Sequence, residues 1–425
     1  MLHRIKPFGI FIFLFTTFGT AALFYLAKPV SFNWNINILI TLSQFLSLIG
    51  TVYLSLSFLL SSRFSFLEKT VGGLDIVYKM HHVLGAISFI ALLHHPLLLA
   101  VQKLPQTQLA LSYLIPSSNI AYNFGIAALG LMIFLLILTL FVQLPYHIWK
   151  NTHTWMGGVL LLASAHIFLI PSDVSRFIPL QFWIFSWLSI GLVSFLYKHF
   201  LYNAYQDSYK YKISLIQDMG EYVQLELEPN TTKQMAYQSG QFLFLSIHNK
   251  NISKESHPFS IASAPNEKQI TLYCKKLGDY TNKLATLTKG STVTIHGPYG
   301  TFLETVPIQN SIVCIAGGIG ITPFLSLIKN QQLENKKITV FHVVRKKQTI
   351  FPPKNSLPHL QTVLHESSAQ GRFSVDTLKN NIDNLTNKTF YMCGPIEMME
   401  SLRSQLLKQG VRPSKIIFED FLFKS

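Results

Sequence analysis

"HHVLGAISFIALLHH", from His81 to His95, is an apolar run with a pair of histidines at each end. Hydrocarbon offers a ring nitrogen no partner, so a span that carries four imidazoles must hold something that satisfies them. On a helix His81 and His95 are separated by about 21 Å of rise and about 40° of rotation. Both rings then leave roughly the same face, one near each boundary of a bilayer. A second pair stands in "THTWMGGVLLLASAHIF", at His153 and His166. Two helices with histidines at matching depths can supply four axial ligands, enough for two bis-histidine haems stacked across the bilayer. His81 with His153 would hold the inner iron, and His95 with His166 the outer. Interfacial or hydrogen-bonded core histidines, and a proton relay, are the competing readings. The 13-residue spacing of the second pair is about 140° off-face in an ideal helix, so it requires a local distortion. His82 to His95 is also 13, so spacing alone leaves the choice between His81 and His82, and between His94 and His95, open. His147, next to Pro145, reads as a structural loop residue.

The surrounding sequence agrees with a membrane setting. Of 425 residues, 49% are hydrophobic and only 13% charged, against about 25% charged in soluble domains. The deficit lies before about Phe200. Six segments there are long enough for about 30 Å of hydrocarbon: 8–27, 36–60, 81–101, 120–144, 153–170 and 181–200. Lys and Arg fall mostly in the loops that would be cytoplasmic if the N-terminus is inside. That orientation also puts the C-terminal half in the cytoplasm. The formal charge of +15 comes with no basic stripe interleaved with aromatics, so nucleic acid is not expected as a partner. Cys274, Cys314 and Cys393 have no C-x-x-C spacing, which excludes a disulfide scaffold and a Cys-ligated iron–sulfur cluster. The first apolar segment, preceded by Arg4 and Lys6, reads as a retained span and not a signal peptide.

From Tyr205 the texture is soluble. "YVQLELEP", "QFLFLSIH" and "STVTIHGPYG" alternate as strands of a small antiparallel barrel. From Ser311 buried strands alternate with helix starts, as in a parallel α/β domain. "CKKLGDYTNKL" puts Gly278 and Thr281 at a helix start whose free N–H groups suit a diphosphate, with Lys275 adding charge. "AGGIGITP" runs from a buried strand through three glycines into a helix, the context in which backbone amides approach a pyrophosphate. Arg345, Lys346 and Lys347 follow the next strand and could hold a 2′-phosphate, or be a solvated basic loop. The expected organisation is a six-helix di-haem domain (1–204), a β-barrel domain (205–305) and an α/β nucleotide domain (306–425).

"HHVLG" through "HHP", "THTW" through "SAH", then "HPFS", "LGDYT", "GPYG", "GGIGITP", "MCGP" and "FEDF" occur in this order. In that set the chain resembles the ferric reductase and NADPH oxidase superfamily over nearly its full length, most of all its small prokaryotic members. The resemblance implies a membrane helical bundle followed by a ferredoxin-reductase-like module. It implies His81, His95, His153 and His166 as ligands of two haem b groups. It implies His257, Pro258, Phe259 and Ser260 at the flavin ring, and Lys275, Gly278 and Thr281 near the FAD diphosphate. Gly317, Gly318, Gly320, Thr322 and Pro323 would meet NADPH, with Arg345 beside them. Cys393, Gly394 and Pro395 match the nicotinamide side, and Ser260 and Cys393 the catalytic positions. Phe421 matches an aromatic covering the flavin, with Phe423 a competitor. The implied activity is transfer of electrons from cytosolic NADPH through FAD and haem to dioxygen, giving superoxide beyond a bacterial inner membrane. A ferric or cupric reductase using the same conduit is the alternative. A non-enzymatic haem or proton-pathway subunit is a third reading, which leaves the nucleotide motifs without a purpose.

Overall fold

The computed structural model describes residues 5–34, 38–202, 208–249, 252, 255–306, 311–330, 337–346 and 360–419. The chain divides into two compact units, 1–205 and 206–425.

The first unit is helical: α1 (Pro7–Leu26), α2 (Ile38–Ser61), α3 (Ser65–Val71), α4 (Leu74–Gln102), α5 (Thr107–Leu111), α6 (Ile120–Leu140), α7 (Tyr146–Thr154), α8 (Met156–Leu169), α9 (Asp173–Arg176) and α10 (Ile178–Leu196). Six stretches among the described residues are long and apolar enough to cross a bilayer, with α7 and α8 together forming the fifth. Helix starts carry local signals. Pro7 stands in the first turn of α1, where its missing N–H costs nothing. Asn119 caps α6 by accepting from the amides of Ala121 and Tyr122.

The third span differs from expectation. Helix α4 starts at Leu74, two turns before His81. Asp75 and Lys79 break the apolar pattern there, yet Leu74, Ile76 and Val77 are buried. The fourth span ends at Leu140, short of Leu144. His147 falls within α7 and not in a loop; its side chain lies outside the described residues. The fifth span carries the distortion that its histidine spacing demands. Trp155 closes α7 with an i→i+3 bond to Thr152, and Gly158 repeats the pattern to Trp155. Such tight turns overwind the helix, rotating His166 toward the face of His153.

The second unit contains two sheets. The antiparallel one has strands β1 (Ser208–Asp218), β2 (Tyr222–Pro229), β3 (Phe242–Ile247), β4 (Ser256–Ser260), β5 (Ile270–Lys275) and β6 (Thr292–Tyr299), in the order β4-β3-β6-β1-β2-β5. A bridge from Ile261 to Leu272 joins its two ends into a barrel. Period-two burial builds the core: Val223, Leu225 and Leu227 point in, while Gln224, Glu226 and Glu228 between them do not.

The second sheet is parallel: β7 (Ser311–Gly317), β8 (Lys337–Val344), β9 (Leu360–Glu366), β10 (Thr389–Cys393) and β11 (Ile416–Glu419), in the order β11-β10-β7-β8-β9. Strand β7 is buried from Ile312 to Gly317, as expected for a strand covered on both faces. From β7 the chain winds outward to β8 and β9, then returns to β10 and β11 on the other side. The switch point therefore lies between the carboxyl ends of β7 and β10, where such sheets bind ligands.

Candidate functional site

In the membrane unit, α2 and α4 run antiparallel and meet in three rungs seven residues apart. Ser57 meets His81, Gly50 meets Ser88, and Ser43 meets His95. Small residues make the approach possible: a Cβ on Gly50 would stand 2.7 Å from Leu92 Cγ. At the inner rung His81 Nδ1 lies 2.9 Å from the Ser57 carbonyl and 2.8 Å from its hydroxyl. At the outer rung His95 Nδ1 lies 3.1 Å from the Ser43 carbonyl, and Ser43 Oγ donates to the His95 carbonyl at 2.8 Å. A carbonyl can only accept, so Nδ1 carries the proton in both rings. On the facing helix His166 Nδ1 donates to the Ala121 carbonyl at 2.7 Å. Gly125 makes room for it, because a Cβ there would come within 2.9 Å of the ring. In these three imidazoles Nε2 keeps its lone pair, the state in which imidazole binds a metal.

Of the two expected pairs, the first brings its rings together. His81 and His153 have centroids 6.2 Å apart at an interplanar angle of 77°. His166 lies within electrostatic reach of His95. Among the described residues His153 Nδ1 is buried with no hydrogen-bond partner, and Trp149 stacks on its ring at 5.6 Å. His82 and His94 are exposed on α4; the His82 ring lies 5.6 Å from that of His81, and His94 Nδ1 bonds the carbonyl of Ile90 on its own helix. Ser43 and Ser57 were not anticipated, although Ser43, Gly50 and Ser57 repeat every seven residues in an otherwise apolar helix.

In the second unit the glycine turn leaves the carboxyl end of β7 and enters the helix Thr322–Ile328. It meets the "MCGP" segment leaving β10. A Cβ on Gly317 would stand 2.6 Å from Pro395 Cδ, and one on Gly320 would collide with the Cys393 carbonyl. Gly394 adopts φ +158° against Gly317. These three glycines serve turn-against-turn packing. Gly318 is different: it has open space where a Cβ would be, and its φ of +55° is what calls for a glycine. His342 on β8, 1% exposed, donates Nε2–H to the Gly318 carbonyl at 2.9 Å and so fixes the turn from behind. Burial pulls the His342 pKa below its usual value. Thr322 and Pro323 are buried in the first helical turn. Arg345 and Lys346 are exposed at the carboxyl end of β8, while Lys347 lies outside the described residues. Cys393 is 1% exposed, sealed in the core with Ala316 and Tyr391.

"HPFS" coincides with β4, with Phe259 opposite Leu243 and Ser260 opposite Phe242. The fold brings it to "LGDYT": the rings of His257 and Tyr280 are 3.8 Å apart, and His257 Nε2 is 3.0 Å from Glu255. One expectation needs correction. The hydroxyl of Thr281 accepts from the amides of Leu277 and Gly278 at 2.9 and 3.1 Å, so these two N–H groups are already satisfied. The first-turn amides of Asp279 and Tyr280 remain. Lys276, next to Lys275, is paired with Asp218 at 2.7 Å. Phe421 and Phe423 fall outside the described residues.

Three family descriptions match in chain order: ferric reductase like transmembrane component over 46–164, FAD-binding domain over 207–303, and oxidoreductase NAD-binding domain over 314–404. Among curated proteins the chain is similar to ferric reduction oxidase 4 of Arabidopsis thaliana, 38% identical over 26% of this chain and 17% of that protein. It is also similar to a superoxide-generating NADPH oxidase heavy chain of Dictyostelium discoideum, 31% identical over 23% of this chain and 22% of that protein. The chain belongs to the ferric reductase and NADPH oxidase superfamily. It spans less than two thirds of the length of either relative. A flavohemoglobin structure from Malassezia yamatoensis shares the fold at 18% identity and TM-score 0.50, covering 91% of this chain and 97% of that one. In this superfamily member the first unit is a multi-pass membrane domain, and the second joins an FAD-binding barrel to an α/β nucleotide-binding domain.

Proposed function

We propose that the protein is an oxidoreductase that carries electrons from cytosolic NADPH across the bilayer to dioxygen, through FAD and two haem b groups, releasing superoxide on the far side. The observation that carries this reading is the His81–His153 pair. Two metal–nitrogen bonds of about 2 Å, plus the ring radii, separate the centroids of imidazoles sharing one metal by about 6 Å, and the rings stand 6.2 Å apart. The fixed tautomer of His81 and the partnerless His153 Nδ1 fit the same purpose. His95 stands about 21 Å further along α4 and is read, with His166, as the second pair.

FAD takes a hydride from a nicotinamide and releases electrons singly, as a haem iron requires. The chain's residues supply position. His81 and His95 hold their rings against α2, and His166 holds its ring against α6. Gly318 presents backbone at the switch point for the pyrophosphate, and Arg345 and Lys346 stand where a 2′-phosphate is read, favouring NADPH over NADH. His257 to Ser260 offer one edge of the barrel to the flavin ring, and Gly394 and Pro395 border the nicotinamide side. The core position of Cys393 argues for packing beneath that site in place of a direct catalytic role.

Dioxygen is kept as the acceptor in this reading, with ferric or cupric ion as the alternative. The Asp173 carboxylate is taken up by Lys28 and by Arg176, the latter at 2.6 Å, and so is no ligand for a metal substrate. Inside-facing basic residues favour cytoplasmic termini. The experiment is NADPH oxidation by the purified protein in liposomes, with superoxide detection and ferric chelate as competing acceptor. Superoxide as the main product is expected; chelate outcompeting dioxygen would shift the reading to a ferric reductase.

A further inference from the structure

A cation of the membrane unit has no role in electron transfer as described so far. Lys198 lies in a π-helical turn, Tyr197–Leu201, that continues α10. Its Nζ is buried and has no hydrogen-bond partner among the described residues. It rests 3.3 Å from the centroid of the Tyr202 ring, and a ring face recovers only part of what burying an ammonium costs. Two further cations act on it, Arg63 and Lys150. The Arg63 guanidinium lies 6.0 Å from the same Tyr202 ring and donates Nε–H to the Tyr78 hydroxyl. Like charges this close repel one another, which an anion between them, or loss of the Lys198 proton, relieves. A π turn in a helix is itself frequent at functional sites.

The placement is specific. Tyr78 precedes His81 by three residues on α4, and Lys150 precedes His153 by three on α7. The cations therefore sit about one helical turn from both imidazoles of the inner pair. We propose that Lys198, flanked by Arg63 and Lys150, is an anion-binding site beside the inner histidine pair, and takes an anionic oxygen group, carboxylate or phosphate. Two sources share this chemistry, a porphyrin propionate and the phosphate of an acidic lipid. The first rests on the haem reading above, and the second does not.

The test uses the full-length protein, as wild type, K198M and K198R, in nanodiscs of phosphatidylcholine with and without phosphatidylglycerol. With a propionate in the site, K198M lowers the midpoint potential of one haem by about 59 mV, a tenfold change in its reduced-to-oxidised ratio. It also moves the propionate bending band in resonance Raman spectra, and K198R restores both in either lipid. With a lipid phosphate, native mass spectrometry shows phosphatidylglycerol retained by the wild type and reduced about tenfold in K198M, the potentials unchanged. A folded K198M that alters neither property overturns the proposal. Should K198M fail to accumulate, the wild type decides: a propionate band typical of a solvent-exposed carboxylate, with no phosphatidylglycerol retained, overturns it equally. A wild type without haem would remove the function proposed above, and the lipid measurement would then judge this site alone.

Discussion

Histidine is used in opposite tautomers by the two units. In the membrane unit His81, His95 and His166 give Nδ1–H to carbonyls of neighbouring helices and leave Nε2 bare. In the soluble unit His342 gives Nε2–H to the Gly318 carbonyl and works as a clamp on a turn. The first arrangement leaves Nε2 available, as the proposed ligand role requires; the second consumes the same nitrogen in a structural bond. The backbone acceptor chosen by each ring thus separates a proposed haem ligand from a strut, although each is an imidazole held by a carbonyl.

The sharpest way to break this contrast is to remove a ring from each unit. His81→Leu should lose about half of the bound haem and slow electron flow more than about 100-fold, read by pyridine haemochrome and NADPH-driven reduction. His342→Leu should keep all its haem; equal haem loss in both variants would erase the distinction. Next in size is Gly320→Ala, where a Cβ meets the Cys393 carbonyl. Overpacking of that kind costs about 1–3 kcal/mol, and the KM for NADPH should rise by about 100-fold with the haem spectrum unchanged. A variant with normal KM would show that the two turns can separate freely. Gly125→Ala acts on the other unit by pushing the His166 ring from Ala121. About a tenfold loss of outer-haem affinity is expected, measured by haem transfer to an apo-acceptor, with the inner haem intact.

The smallest effect is a dependence on pH. The folded His342 resists protonation because it is buried, whereas the unfolded ring protonates near 6.5. Below about pH 6.5 the unfolded state binds more protons, so stability of the soluble unit falls as pH drops, by at most about 1.4 kcal/mol per unit. Thermal unfolding followed through the soluble unit should show this slope in the wild type and a flatter one in His342→Leu. Identical slopes would mean that His342 is not the group responsible.

How far the sequence could be read differed between the units for physical reasons. The spans were legible because hydrocarbon forces long apolar runs, and the histidine pairs stood out against them. The start of α4 was not, because Asp75 and Lys79 interrupt the apolar run although the backbone stays helical. Ser43 and Ser57 were also missed, since a serine in an apolar helix has no sign of its own until a partner helix supplies the ring it faces. In the soluble unit the glycine turn was recognisable, but the glycines proved to divide their work. Gly317 and Gly320 are small because Gly394, Pro395 and Cys393 press against them, a contact between residues more than seventy apart in sequence. Lys198 reads in the sequence as one more inside-facing charge; only its burial makes it a question.

The central claim is tested most directly by an anaerobic absorption spectrum of the purified full-length protein before and after addition of NADPH. Bis-histidine ligation predicts low-spin haem bands that pass to the reduced form on NADPH alone, with His81→Leu and His95→Leu each removing part of the signal. A protein that binds no haem, or whose haem stays oxidised when NADPH is supplied, would contradict the claim.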